Sequence, residues 1–215
     1  MPKIYFYKLT VDDDGAPCVT PGLLSLAICK PMIRSTADKE DIIIGFAANS
    51  LHADNRLIYV ARVTRKLTNG EYFKRPEYAA RGDCIYEWRD GRFAVRSGAK
   101  HHGSDTDLVH DLGTNPGYQR ANILVSQEFC YFGESGSDAY KKAFPTVAKA
   151  VANLGRGHRV HHDTKLLDDL ERLAKWTCAL DGPCIQGKAA SQPRCGVSHR
   201  GGGCGVAALK AQHHA

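Results

Sequence analysis

Lys39-Glu-Asp-Ile-Ile-Ile-Gly-Phe-Ala-Ala-Asn-Ser50 decides how the rest of the chain folds. Ile42, Ile43, Ile44 and Phe46 surround Gly45 in a mostly β-branched run, which reads as a strand buried on both faces. Residues 51–55 make a polar connection, after which Leu57, Tyr59, Ala61 and Val63 alternate as a returning partner strand. Upstream, Thr20-Pro21 has the form of a helix start, a hydroxyl cap followed by proline at the first helical position. Leu23, Leu24, Leu26, Ala27 and Ile28 then read as a short buried helix that Lys30-Pro31 ends. Helix, buried strand and returning strand make a nucleus around which a larger sheet can close.

Working outward, Lys3 to Thr10 alternates as a first strand. Asp90-Gly91 between Ile85–Trp88 and Arg92–Arg96 marks a hairpin. Residues 97–117, with His101, His102, His110, Asp111 and four glycines, carry little pattern, and so long a loop is functional or disordered. Ala121 to Tyr131 recovers a strand. Asp138 caps a helical stretch with Tyr140, Phe144, Val147, Val151 and Leu154 on one face, interrupted at Pro145 and stopped by Gly155. A second helix starts at Asp163 and aligns Leu166, Leu167, Leu170 and Leu173. Periodicity fails beyond Trp176. The expected fold is α+β, a curved and mostly antiparallel sheet with flanking helices and a flexible C-terminal tail. Residues 1–175 would form the domain and 176–215 a Gly- and Cys-rich tail, disordered or tied by zinc.

The chain has 215 residues, a hydrophobic fraction of 43% and a formal net charge of +6. That supports one cored domain with an appendage and favours an anionic partner such as nucleic acid. No apolar stretch approaches the roughly 20 residues that span a bilayer, so no membrane partner is expected. Lys3 leads straight into strand-like alternation, so no signal peptide is read. The eight cysteines show no disulfide framework, which fits reduced thiols and a cytoplasmic location.

No Gly-rich phosphate loop, Gly-x-Ser-x-Gly elbow or His-Glu-x-x-His helix occurs, so an enzyme is the less favoured reading. Three clusters could carry chemistry. Arg62, Arg65, Tyr72, Phe73, Lys74, Arg75, Tyr78, Arg81, Tyr86 and Trp88 interleave aromatic and basic groups, as stacking on bases beside phosphates requires. Against that stands an ordinary surface with aromatics packed inward. Arg156, His158, Arg159, His161 and His162 follow a helix and suit phosphate contact or structural hydrogen bonding better than metal. Cys178, Cys184, Cys195, His199 and Cys204 in the tail offer soft zinc ligands, but no Cys-x2-Cys pair, and compete with the reading of incidental thiols. No other cofactor is expected.

At Leu26-Ala-Ile-Cys-Lys-Pro-Met-Ile-Arg34, Asp41-Ile-Ile-Ile-Gly-Phe-Ala-Ala-Asn49, Arg81-Gly-Asp-Cys-Ile-Tyr86 and Gly155-Arg-Gly-His-Arg-Val160, the chain resembles the second type of nucleotide-modification-associated domain. Such domains occur in bacteria and phages beside DNA-base-modifying systems, and the resemblance covers roughly residues 1–175. It implies a role with modified bases in DNA. More loosely, the order of helix, acidic turn, apolar strand and returning strand is similar to PUA-like barrels, which hold a flipped base between aromatic walls. The expected function is therefore recognition of nucleic acid, DNA carrying a modified or flipped base. Asn49, Ser50, Tyr86, Trp88 and Phe132 are the base-pocket candidates, and Arg34, Arg62, Arg81, Arg156 and Arg159 the phosphate contacts. The alternative is an enzyme acting on a DNA base or nucleotide, with Asp83, His110, Asp111 or His158 as acid or base. Cys84 is a poor nucleophile candidate because the adjacent carboxylate opposes thiolate formation.

Overall fold

The structure, a computed structural model, describes residues 2–177 and 179–189. Strands β1 (Ile4–Leu9), β2 (Cys18–Thr20) and β3 (Leu23–Leu26) lead into helix α1 (Pro31–Thr36). Strands β4 (Ile42–Ala47), β5 (Leu57–Arg62) and β6 (Arg65–Leu67) precede the single turn α2 (Glu71–Lys74). The hairpin β7 (Tyr86–Arg89) and β8 (Arg92–Val95) is followed by α3 (Asp105–Leu112), β9 (Ile123–Ser126) and β10 (Glu128–Tyr131). Helices α4 (Tyr140–Ala143) and α5 (Pro145–Ala152), the two-residue β11 (His158–Arg159), helix α6 (Thr164–Trp176) and β12 (Pro183–Ile185) complete the described chain. None of these helices is long and apolar enough to cross a membrane.

The run Ile42–Ala47 is the spine. As β4 it lies inside a six-stranded sheet of order β11-β1-β4-β5-β10-β12, parallel to β1 and antiparallel to β5. Every residue of β4 is buried, because alternate side chains enter different layers. Ile44 and Phe46 join Phe6, Val60 and the inner faces of α5 and α6, where Val147, Val151, Leu166, Leu170 and Leu173 pack. Ile43 joins Tyr5, Tyr7, Tyr59 and Ala61 against Leu24, Leu26 and Leu124 of a second sheet. That sheet has four antiparallel strands in the order β2-β3-β9-β6. At Gly45, where the β4–β5 register shifts, a Cβ would collide with the Tyr59 ring, so the close approach needs glycine.

The fold is α+β, with strand pairs antiparallel except β1–β4 and β10–β12 in the main, mixed sheet, and among the described residues no barrel closes. Residues 20–28 are not a helix. Pro21-Gly22, with Gly22 at φ 79°, turns β2 directly into β3. A short apolar run has no period of its own, and the turn chemistry decides it. The helix begins one proline later, with Pro31 at its first position. Residues 97–117 also hold more structure than expected, namely α3. A third cluster, with Phe73, Tyr86, Phe93, Leu108, Leu112 and Tyr118, fills the space beneath the hairpin. The hairpin itself turns at Asp90 and Gly91, with φ of 49° and 77°, as Asp-Gly predicts.

Candidate functional site

Helix α3 exists because Ser104 and Asp107 cap it reciprocally: the Ser104 Oγ accepts the Asp107 N–H at 3.2 Å and the Asp107 carboxylate accepts the Ser104 N–H at 3.2 Å. Its last turn carries Asp111 into the interior, where the side chain is fully buried. Three groups donate to that carboxylate. The Cys29 N–H reaches Oδ1 at 2.8 Å, the Tyr86 hydroxyl reaches Oδ2 at 2.9 Å, and His102 Nδ1 meets Oδ2 at 2.7 Å. Arg34 lies 3.6 Å from Oδ1 and is itself fully buried. Burial alone would raise the Asp111 carboxyl, but the His102 hydrogen bond and the charges of His102 and Arg34 outweigh it and hold the group below its usual range.

An ionised Asp111 can only accept, so His102 Nδ1 carries the hydrogen and Nε2 is left facing the Cys29 sulfur, 3.4 Å away. Burial disfavours the His102 cation, but the hydrogen bonds to Asp111 and Cys29, with their charges, push its value up to about 11. His102 keeps a quarter of its side chain exposed, at 26%, and Cys29 is half-buried, so the pair is reachable from solvent. Cys29 and Lys30 adopt left-handed backbone, φ 54° and 44°, which costs of order 1–3 kcal/mol at each non-glycine residue. Arg34 holds that turn in place by donating to the carbonyls of Cys29 (2.6 Å), Asp111 (2.8 Å), Arg120 (3.0 Å) and Asn122 (2.7 Å).

The residues singled out from the sequence scatter around this centre. Arg34 and Arg81 are interior, which removes both from the surface where phosphates bind. Arg81 donates to Tyr72 (2.9 Å), Ser25 (2.8 Å) and the Cys18 carbonyl (2.7 Å), while Tyr72 and Ser25 donate to Asp83 at 2.6 and 2.5 Å. This closed network ties β2 and β3 to the segment before the hairpin, and Asp83 has no exposed surface. Burial pushes the neighbouring Cys84 thiol up to about 11. Arg62 is paired with Glu128 and Glu40. Arg159 donates to the His161 carbonyl at 3.0 Å, and Arg156 is exposed. His158 belongs to β11, beside Tyr5, and burial lowers its value. His110 is 56% exposed on the far side of the Asp111 carboxylate.

The base-pocket candidates divide in two. Asn49 and Ser50 are exposed after β4, where Asn49 accepts from Asn55 at 2.9 Å and Ser50 donates to the Thr10 carbonyl at 3.1 Å. Phe132 packs on the helical side of the main sheet. Tyr86 and Trp88 share one face of β7, and only Tyr86 belongs to the buried centre. Trp88 is 43% exposed, set edge-on against Phe93 and Tyr118, with the Lys74 ammonium 4.3 Å from its ring. Cys184 lies in β12, whereas Cys178, Cys195, His199 and Cys204 fall outside the described residues. Among the described residues no group of three His, Cys, Asp or Glu side chains could hold a metal.

The sequence singles out Asp111 as a candidate acid or base, names His102 only as part of the segment 97–117, and gives no sign of the partner Cys29. Only the capping pattern at Ser104 and the turn at Lys30-Pro31 hint that loop and helix converge there. No curated protein and no solved structure matches the chain. A family model described as nucleotide modification associated domain 2 matches residues 1–187, including every residue of the Asp111 centre and strand β12. The chain therefore belongs to the nucleotide modification associated domain 2 family.

Proposed function

We propose that this chain binds nucleic acid, DNA carrying a modified or flipped base, across the outer face of the β7–β8 hairpin. One observation carries the reading. Trp88 is a large exposed aromatic with the Lys74 ammonium over its ring, on the strand whose Tyr86 reaches Asp111, and Arg89 and Arg92 pair across the other face of the same hairpin. A base can stack on that indole while Lys74, on its flexible stem, moves to a phosphate. Extruding a base costs about a few kcal/mol, which stacking and phosphate contacts must offset. Membership of a nucleotide-modification family and the net charge of +6 support the same partner.

The test is a titration of fluorescent oligonucleotides, modified and unmodified, at several salt concentrations. Trp88→Ala should weaken binding by about 1–3 kcal/mol. Arg92→Ala should weaken all sequences alike and reduce the log–log salt slope by about 0.9 if the target is duplex. Unchanged affinity in a folded Trp88→Ala protein would move the contact away from the hairpin. A second reading, an enzyme acting on a DNA base or nucleotide, is favoured by the meeting of Cys29, His102 and Asp111.

A further inference from the structure

Buried carboxylates that accept from a histidine are common, and most only brace a fold. The Asp111 centre differs in what lies on the other side of the imidazole. The sulfur of Cys29 sits 3.4 Å from Nε2, and both groups have access to solvent. Held by Asp111, His102 has one orientation, so its Nε2 is aimed at the Cys29 sulfur instead of at bulk water. The left-handed turn at Cys29 and Lys30 is a local strain held by Arg34, which donates to the Cys29 carbonyl, and by Asp111, which accepts the Cys29 N–H, and strain of this kind collects where a side chain must be presented for reaction. Lys30 adds a half-buried ammonium that stacks on the Tyr7 ring at 4.9 Å and has no acidic partner among the described residues.

We propose that Cys29, His102 and Asp111 form a thiol-based acyl-transfer site that takes carboxylic esters or amides. At rest the proton shared by the pair sits on His102 Nε2, and the Cys29 sulfur attacks the substrate carbonyl carbon as a thiolate, forming an S–C bond. The tetrahedral adduct collapses by breaking the bond to the alcohol or amine, which departs with the proton from Nε2. Water, deprotonated by the same nitrogen, then attacks the thioester, releasing the carboxylic acid and restoring the thiolate beside the imidazolium. Asp111 keeps its charge throughout and stabilises the imidazolium. Lys30 offers positive charge beside the carbonyl oxygen as that oxygen becomes anionic. The preference of His102 for its cationic form, supported by Asp111, keeps the shared proton on nitrogen. None of this depends on nucleic-acid binding at the hairpin.

The experiment uses p-nitrophenyl acetate with the full chain. The expected result is rapid release of p-nitrophenol, with the acetyl group mapped to Cys29 and absent from Cys184. Cys29→Ser and His102→Ala should each slow the release by roughly 10²-fold or more. Both variants should keep the parental circular dichroism spectrum and the parental oligonucleotide affinity. Acetylation spread over several cysteines, no acetyl on Cys29, or a folded His102→Ala protein that acylates at the parental rate would each overturn the proposal. Should His102→Ala not fold, His102→Gln is read by the same criteria.

Discussion

Asp12 is 1% exposed, yet its Oδ1 has no hydrogen-bond partner, while Oδ2 accepts from Tyr131 at 2.8 Å. Burial raises its carboxyl to about 6; the Tyr131 hydrogen bond opposes this, and Asp13, Asp14 and Glu134 add to it. The folded value lies above the unfolded one, so the native state binds this proton more tightly. Stability from this residue is greatest below about pH 4, falls as pH rises, and is at its minimum above about pH 6. A two-unit shift corresponds to about 3 kcal/mol at most. Asp12→Asn should therefore stabilise the protein at pH 7, by about 1–3 kcal/mol, with the gain fading towards pH 4. Denaturant melts of both proteins across that range decide it, and an equal gain at both ends would exclude the charge as its cause. At this scale the sequence was least legible. Asp111 was visible as a titratable residue in an unpatterned segment. His102 stood in the same segment without being singled out, and its pairing with Cys29 was hidden, because a thiol becomes a partner for an imidazole 73 positions away only through a left-handed turn that side-chain identity does not announce.

Helix α6 was legible residue by residue. Asp163 caps it by accepting the Leu166 N–H at 2.9 Å, and the leucines at three- and four-residue steps face the main sheet. Leu170 is fully buried there, so Leu170→Ala should cost about 2–5 kcal/mol, against about 0.5 kcal/mol or less for the exposed neighbour Glu171→Ala. Chemical denaturation midpoints measure both, and equal costs would show that α6 does not anchor the core. Strands β4 and β5 and the hairpin were equally clear, since each couples a period of two to a turn signal. The segment 20–28 was misread because Thr-Pro opens a helix and Pro-Gly makes a turn, and Thr20-Pro21-Gly22 contains both. Gly22, free to take positive φ, settles it. Helix α3 escaped notice because its apolar stripe is short and Asp107 stands where a capping glutamate is usual.

For the molecule as a whole, the sequence placed the end of the ordered domain near residue 175, but the main sheet continues beyond it. Strand β12 pairs with β10, and at Gly133 (φ 64°) the Lys188 backbone nitrogen lies 2.6 Å from where a Cβ would sit. A chain ending at 177 should melt lower than one ending at 189, by about 2–4 °C for each kcal/mol lost. Identical melting of the two would make β12 dispensable. Layers and helix positions followed from periodicity, whereas the meeting of 29, 86, 102 and 111 is a product of topology, which no local pattern records. One junction also constrains how such a chain can change. Strands β9 and β10 belong to different sheets yet are separated by Gln127 alone, with Ser126 Oγ bonded to both the N–H and the carbonyl of Glu128. Side chains alternate strictly along each strand, so one residue inserted or deleted here would exchange inner and outer faces in one of the two sheets. Length variation among descendants of this chain is therefore confined to other places, such as the connection between Arg96 and Ser104, and position 127 keeps its count.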